Sequence, residues 1–272
     1  MSVKAPIKWV GSKAKILKEL LPVIRENIDK YDYYIEPFVG GGSVFLNLIN
    51  ESKCIFVLND KNRYLIEMFL AIRDNVDELI VLLKQAEDEY NSSEDKKTLH
   101  YNKRNEFNES KDYSLQTIVL FMTLIKTNWY GLYRVGSTGK YNTPFGFAKH
   151  LNFNVANIKK VSELLNKNKD RIIFENKDYQ DILDEYKDKS CLIYFDPPYY
   201  KTHVSYSKDN FDHEKFAEIV ESSTNNIVVS NSKDFLSLLK NKDAFNVIEV
   251  NILERFNQGK STRNEIILVP KN

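Results

Sequence analysis

The sequence predicts an α/β fold: a mostly parallel sheet, opened by a βαβ unit and interrupted by a helical insert. Three observations carry this. A short apolar strand runs into the glycine turn EPFVGGGS and is followed by a second apolar strand ending in Asn59-Asp60. From Asn62 to about Asn128 the apolar residues recur every three or four positions, the helical period. After that, short apolar strands and helical stretches alternate to the end of the chain. A length of 272 residues suits one large domain carrying a smaller one.

Taken in order, Ser12 is placed to cap a helix starting near Lys13, with Ile16, Leu17, Leu20, Leu21, Ile24 and Ile28 as its apolar stripe. Pro22 falls inside this stripe, so two short helices or a kink are expected there. Tyr33–Glu36 reads as the first strand, Val44–Leu48 as a helix after the glycine turn, and Cys54–Leu58 as the second strand. The runs YLIEMFLAI, DELIVLLKQ and SLQTIVLFMTLIK read as helices of the insert. WYGLYRVGSTGKYNTPFG, with Ser-Thr-Gly between two β-rich arms, reads as a hairpin. Strands are expected at Arg171–Glu175, Leu192–Phe195, Ile227–Asn231, Val247–Leu253 and Glu265–Val269. Helices are expected at Asp212–Ser222 and Phe235–Leu239. Residues 1–61 and 155–272 then form the sheet domain, and 62–154 the insert.

Composition narrows the classes. Hydrophobic residues make up 42% of the chain, enough for a full core. A net charge of +1 means that any basic surface is local. Cys54 and Cys191 lie in apolar runs and read as reduced core residues; with four scattered histidines they form no zinc spacing. The opening MSVKAPIKWVGSK has no apolar run of the signal-peptide kind, and no stretch approaches a membrane span. A cytoplasmic setting is expected.

Three constellations carry chemistry. Gly40, Gly41 and Gly42 let backbone approach a ligand, and Asp60 ends the next strand, where an acid commonly meets ribose hydroxyls. No Lys-Ser/Thr follows the glycines, so this is not a phosphate loop, and Pro37 and Phe38 offer an apolar wall suited to a flat ring. A tight turn with no ligand is the plainer reading of the glycines alone. The second constellation is CLIYFDPPYYK. Asp196 follows a buried strand and so stands at the carboxyl edge of the sheet, where open α/β sheets bind ligands. Pro197 and Pro198 remove two N–H groups and stiffen the chain. A carboxylate, fixed carbonyls and the flat face of Tyr199 together make a socket for an aromatic amine. Asp and Pro are also ordinary turn formers, which explains the prolines but not the aromatic pair. The third lies between Lys126 and Arg171, where nine basic residues face only Glu163 and Asp170. Among them the hairpin carries Trp129, Tyr130, Tyr133, Tyr141 and Phe145. Basic residues track phosphates and aromatics contact bases, although lysine-rich faces are often merely solvated.

With these motifs in place the chain resembles the Dam-type DNA adenine-N6 methyltransferases, in which cofactor motifs come first, the recognition domain is inserted and DPPY follows. The resemblance rests on KWVGSK (Lys8–Lys13), EPFVGGGSVFLNL (Glu36–Leu48), Asp60, GLYRV (Gly131–Val135), NTPFG (Asn142–Gly146), YFDPPY (Tyr194–Tyr199), VVSNS (Val228–Ser232) and TRNEIILV (Thr262–Val269). It implies a Rossmann-like, S-adenosylmethionine-dependent methyltransferase sheet with an inserted, mostly helical target-recognition domain carrying a β-hairpin. It implies S-adenosyl-L-methionine as methyl donor and no metal. Trp9, Lys13, Asp60 and Asp196 match cofactor contacts, Phe38, Gly40 and Gly42 line that site, and Asp178 matches a position near its methionine end. Asp196, Pro197, Pro198 and Tyr199 match the adenine socket. Lys8, Leu132, Arg134, Asn142 and Pro144 match positions used on duplex DNA, and Trp129 and Tyr130 lie in the region that wedges into it. Members with this hairpin commonly methylate GATC. A restriction nuclease of the same site is a candidate partner, and a monomer on DNA is the expected working state. Two departures stand out. Tyr130 replaces the family's usual Asn before Gly-Leu, and the loop after DPPY is short.

The expected chemistry is direct methyl transfer to the exocyclic amine of an adenine turned out of the duplex. Arg134 is the candidate reader of a guanine edge. Neither cysteine is placed as a nucleophile, which disfavours cytosine-C5 chemistry. Three rivals stand beside this: an amine methylase acting on RNA or a protein glutamine, an inactive DNA-binding relative, and a nucleotide-dependent oxidoreductase that would leave the DPPY socket without purpose.

Overall fold

The computed structural model describes residues 3–110, 112–201, 211–223, 226–256 and 259–271; side chains are described outside 253–263. The loop after DPPY, read above as short, lies mostly outside the described residues. Seven strands form one sheet: β1 (Tyr33–Glu36), β2 (Ile55–Asn59), β3 (Ile172–Glu175), β4 (Cys191–Phe195), β5 (Asn226–Ser232), β6 (Phe245–Phe256) and β7 (Gly259–Pro270). Their order is β3-β2-β1-β4-β5-β7-β6. β1 to β5 are mutually parallel, and β7 runs against both β5 and β6. Strand order reverses between β1 and β4, so a crevice opens at their carboxyl ends. Every residue of β4 is buried, as a central parallel strand requires.

Eight α-helices are described: α1 (Leu17–Ile28), α2 (Arg63–Asp74), α3 (Val76–Ser92), α4 (Lys96–Glu109), α5 (Leu115–Thr127), α6 (Val155–Lys167), α7 (Tyr179–Tyr186) and α8 (His213–Ser222). α5 is buried on nearly all sides because α2, α3 and α4 all pack on it. That burial explains its almost unbroken apolar sequence. One apolar cluster runs from α1 and the inner faces of β1 and β2 through the insert helices to α6. A second, behind the sheet, joins β4, β5, β7, α7 and α8.

Several sequence expectations need correction. The break in the first helix falls at Ile16, between a 3₁₀ turn (Lys13–Lys15) and α1, and not at Pro22. Pro22 sits inside one continuous helix. It is solvent-exposed, as is Lys18 four residues earlier, so the carbonyl that loses its partner can turn to water. The helix expected at Val44–Leu48 is only a 3₁₀ turn, Phe45–Asn47, which continues as irregular turns through residues 48–51 before β2. Lys233–Ser237 is likewise a 3₁₀ turn where a helix at Phe235–Leu239 was expected. α6 and α7 have no counterpart among the expectations; α6 is capped by Asn154 and α7 by Asp178. β6 and β7 form a hairpin longer than the apolar runs suggested.

The basic run also divides. Arg171 donates to the carbonyls of Ser52 (2.8 Å), Cys54 (2.9 Å) and Ile49 (2.7 Å), and Lys126 to that of Asn152 (2.7 Å). Lys126 makes a single bond at the surface, whereas Arg171 spends its donors inside the fold and ties the entry of β3 to that of β2. Removing a cation bonded to several partly buried carbonyls leaves those acceptors unsatisfied. Arg171→Ala is therefore expected to lower unfolding free energy by about 2–3 kcal/mol, measured by urea denaturation; a change below about 0.5 kcal/mol would contradict the tie.

Candidate active site

A cavity of about 800 Å³ opens at the carboxyl edge of the sheet, between the ends of β1 and β4. That is a size typical of small-molecule and cofactor sites. Its floor is built by three strand ends. β1 delivers Glu36 and the glycine turn, β2 delivers Asp60, and β4 delivers Asp196. Its roof is built by the N-terminal segment, through Trp9 and Lys13, and by Tyr133 and Val135 of the hairpin.

The glycine turn is shaped by close approach. Gly40 has φ +50°, and a Cβ there would sit 3.1 Å from Cδ1 of Trp9. The Gly40 N–H donates to Asp60 Oδ2 (3.0 Å) and the Asn62 N–H to Asp60 Oδ1 (2.8 Å). Burial pushes the Asp60 carboxyl up to about 6, with these two backbone donors acting the other way. Asn59 is a buried clamp that the sequence reading noted only as a strand end. Its amide donates to the carbonyls of Pro37 (2.9 Å) and Lys177 (3.1 Å), and its oxygen accepts from the Lys177 N–H (2.8 Å). One side chain thus locks the loops after β1 and β3 together. Phe38 walls the cavity, packed on Tyr179 with centroids 5.2 Å apart. An apolar wall, a turn with no Cβ in the way and an acid held at the rim fit a nucleoside-type cofactor.

Asp196 meets the buried Lys13 in an ion pair at the cavity wall, Nζ to Oδ1 2.7 Å. The same ammonium donates to the Gly11 carbonyl and lies 4.8 Å from the centroid of the Tyr199 ring. The Tyr199 hydroxyl donates to Glu265 Oε2 (2.9 Å). Next to it, the Tyr200 N–H donates to Asn231 Oδ1 (3.2 Å), and Ser232 Oγ donates to the Tyr200 carbonyl (2.8 Å). Asp196, Pro197, Pro198 and Tyr199 all line the cavity. Burial and the Asp196 charge hold the Tyr194 and Tyr199 hydroxyls well above the usual phenol range, so both remain donors.

The expected site residues divide in two. Trp9, Lys13, Phe38, Gly40, Gly42, Asp60, Asp178 and Asp196 all line the cavity. Asp178 also caps α7 and pairs with Lys61 (3.3 Å). The second set lies on the hairpin and the facing N-terminal segment. The expected hairpin forms no continuous strands: its arms pair only at isolated antiparallel bridges, Val135 with Tyr141 and Asn128 with Phe145, so it is a folded-back loop with a β-bridge near each end. A Cβ on Gly131, at φ +72°, would sit 2.3 Å from the Lys8 carbonyl, so Gly-Leu-Tyr-Arg can begin only with glycine where the two segments touch. Lys8 lies 5.6 Å from the centroid of Tyr130. Arg134 is exposed and donates from Nε to Asn142 Oδ1 (2.7 Å); Pro144 is exposed, and Leu132 is half-buried. The hairpin aromatics are not one set. Trp129 and Tyr130 are 47% and 51% exposed, whereas Tyr141 and Phe145 are buried and Tyr133 faces the cavity. Phe147, which the sequence reading passed over, is 70% exposed. Tyr130 holds φ +59°, a conformation that Asn adopts more readily than Tyr. Both cysteines are buried with thiols raised by burial, Cys191 to about 11.

Glu36 went unassigned, although it opens the quoted EPFVGGG. It is buried, accepts from the Tyr34 hydroxyl (2.9 Å) and lies near Asp196.

A sheet of this order, with a glycine turn and an acid-proline-proline-tyrosine loop flanking its switch point, defines a Rossmann-like methyltransferase. The chain belongs to the D12 class N6 adenine-specific DNA methyltransferase family, whose model matches residues 9–255. It is 33% identical to the type II methyltransferase M.MjaIII of Methanocaldococcus jannaschii, over 92% of this chain and 91% of that one. It is 30% identical to the type II methyltransferase M1.LlaDCHI of Lactococcus lactis subsp. cremoris, over 77% and 70%. It is also 30% identical to the DNA adenine methylase of Escherichia coli K12, over 80% and 74%. The protein is therefore an adenine-specific DNA methyltransferase. No helix among the described residues is long and apolar enough to cross a membrane.

The buried carboxyl gives a stability test. Burial pushes Glu36 up to about 8 from its usual 4.5; the Tyr34 bond opposes this, the Asp196 charge adds to it, and a Phe45 backbone bond opposes it. The folded chain thus holds a proton there that the unfolded chain has lost, and stability falls as pH rises from about 4.5 to about 8. Asp60 acts in the same direction between 3.8 and about 6. Glu36→Gln should gain on the wild type by on the order of 2 kcal/mol between pH 5.5 and 8.5, read from urea unfolding at both pH values. A difference independent of pH would refute the buried-proton assignment.

Proposed function

We propose that the protein transfers a methyl group from S-adenosyl-L-methionine to the N6 amine of an adenine flipped out of duplex DNA, within GATC or a related short site. The observation that carries this is one cavity shared by the glycine turn, Asp60 and the Asp196–Tyr199 loop. A nucleoside-type cofactor and a planar amine can thus meet inside it.

In this reading Trp9, Lys13, Phe38, Gly40, Gly42, Asp60 and Asp178 hold the cofactor. Asp60 accepts from the ribose hydroxyls, and Phe38 lies along the adenine ring. When bound, the cofactor supplies an activated methyl carbon on a positively charged sulfur. The target adenine stacks on Tyr199, and its amine donates to Asp196 and to the Pro197 carbonyl. Pro197 and Pro198 keep that carbonyl aimed. The Asp196 carboxylate, held in place by Lys13, stabilises the positive charge that develops on the nitrogen until that nitrogen gives up one amine proton to water. Alignment by the rigid loop supplies much of the rest.

Residues 62–154 act as the target-recognition domain between the two parts of the catalytic domain, 1–61 and 155–272. Lys8 and the hairpin face the duplex. Trp129 and Tyr130 enter the stack, Arg134 reads a guanine edge with Asn142 supporting its guanidinium, and Leu132 and Pro144 contact base edges. The enzyme works as a monomer on DNA, and a restriction nuclease of the same site is its candidate partner.

Transfer of labelled methyl to two duplexes differing only in one GATC site, with the product nucleoside identified, tests this reading. Label in N6-methyladenine from the GATC duplex alone is the expected result; label from both duplexes overturns the site, and none from either overturns the donor or substrate. Asp196→Ala should abolish transfer while the fold persists by circular dichroism, and an active variant would sink the mechanism. Arg134→Ala should cost about 1–3 kcal/mol of discrimination among single-base site variants. An unchanged preference would remove Arg134 from the reading set.

A further inference from the structure

Four features outside the loop itself converge on Tyr199. β7 is the strand in the sheet that runs against its neighbours, so Glu265, where β7 begins its pairing with β5, stands at the carboxyl edge beside the cavity. Its register partner on β5 is Ser232. Glu265 is 1% exposed, the sole acid in the run EIILV, and its Oε2 accepts from the Tyr199 hydroxyl at 2.9 Å. The backbone of the next residue is held at both ends, by Asn231 on its N–H and Ser232 on its carbonyl. On one face of the ring, the Lys13 ammonium lies 4.8 Å from the centroid.

A buried carboxyl at a strand edge carries a desolvation cost that apolar strand residues do not. Here that carboxyl meets the far end of the ring on which a base is proposed to stack. A stacking platform works only if its plane is fixed, because tilt or slide of the ring moves the amine out of line with the methyl carbon. The double proline fixes the chain before Tyr199, and Asn231 and Ser232 fix it after. Neither restrains rotation of the side chain about its own bonds. A bond at the para oxygen fixes the first of these bonds directly, and it biases the twist of the ring because a phenol O–H prefers to lie in the ring plane; a hydroxyl-to-carboxyl bond out of water is also among the stronger neutral-donor bonds.

We propose that Glu265 is a positioning residue for methyl transfer: it tethers the Tyr199 hydroxyl across the sheet and holds the ring in the plane that receives the target base. With Lys13 on one face, the base uses the opposite face. This rests on the proposed stacking role of Tyr199.

The test is a cycle of variants in the full chain, read by kcat, by KM for duplex DNA and by fluorescence of 2-aminopurine placed at the target position. Glu265→Leu removes the acceptor, Tyr199→Phe removes the donor, and Glu265→Gln keeps an acceptor oxygen without the charge. Glu265→Leu and Tyr199→Phe should each lower kcat about 10-fold, with KM for DNA changed less than about threefold. The double variant should be no worse than either single one, and Glu265→Gln should recover most of the loss. Flipping, read from 2-aminopurine, should persist in all four. Multiplying losses in the double variant would overturn the tether, as would a Tyr199→Phe variant of full activity. Tyr199→Ala separates the two readings. If it loses kcat while Tyr199→Phe and Glu265→Leu do not, stacking stands and the tether falls. If Tyr199→Ala keeps full kcat, the stacking role itself falls. Should Glu265→Leu fail to fold, Tyr199→Phe decides alone, since it breaks the same bond without removing the buried carboxyl.

Discussion

The partly buried ion pair of Lys13 and Asp196 holds the site together. It joins the N-terminal segment to the end of β4, and every wall of the cavity refers to that join. Burying two charges is costly unless both are paired and further bonded. Lys13 meets that condition through the Gly11 carbonyl and the face of Tyr199. The segment that carries it is fastened elsewhere too: Ser12 and Ser43 share a hydrogen bond of 2.8 Å, and the Gly131 carbonyl accepts from the Val10 N–H. One short stretch therefore registers the glycine turn, the β4 loop and the hairpin against each other. The cavity and the hairpin are thus joined through one short stretch of chain, Lys8 to Lys13, ahead of α1.

The insert is not a separate globule set on the sheet. Trp9 stacks on Tyr133 at 6.0 Å and meets Phe121 of α5 at 6.1 Å. Tyr133 in turn packs on Phe121 and Tyr141. This aromatic layer runs from the cavity roof into the insert core. Burial pushes the Tyr133 hydroxyl far above its usual range, so the layer stays uncharged. The opposite side of the hairpin presents Trp129, Tyr130 and Arg134 to water. A rigid, apolar inner face lets the exposed outer face keep a defined geometry.

Much of this was legible along the chain. The glycine turn, Asp60 and the acid-proline-proline-tyrosine loop each follow a strand, and strand ends are readable from apolar runs. The residues said to line the cofactor site therefore do line one cavity. The family follows from the order of motifs over nearly the whole chain, and its model matches residues 9–255. Less legible were the polar residues inside apolar surroundings. Asn59 looked like a strand end and is a clamp between two loops. Glu36 looked like part of a turn and is a buried acid. Arg171 counted toward a basic surface and is spent on carbonyls.

By itself the sequence determined the local chemistry: which residues end strands, which turn is rich in glycine, which loop is stiff, which stretches take the helical period. Those are properties of neighbours in the chain. What only the tertiary structure decided is which distant residues meet. Lys13 and Asp196 are far apart in sequence, as are Tyr199 and Glu265, and no periodicity links them. The reversed direction of β7 brings Glu265 to the carboxyl edge; a parallel strand of the same sequence would place it at the opposite edge. The same holds for the hairpin aromatics, whose composition is uniform but whose exposure is set by which face meets Trp9. Burial, and with it the charge and hydrogen-bonding state of each polar group, is a property of the assembled fold.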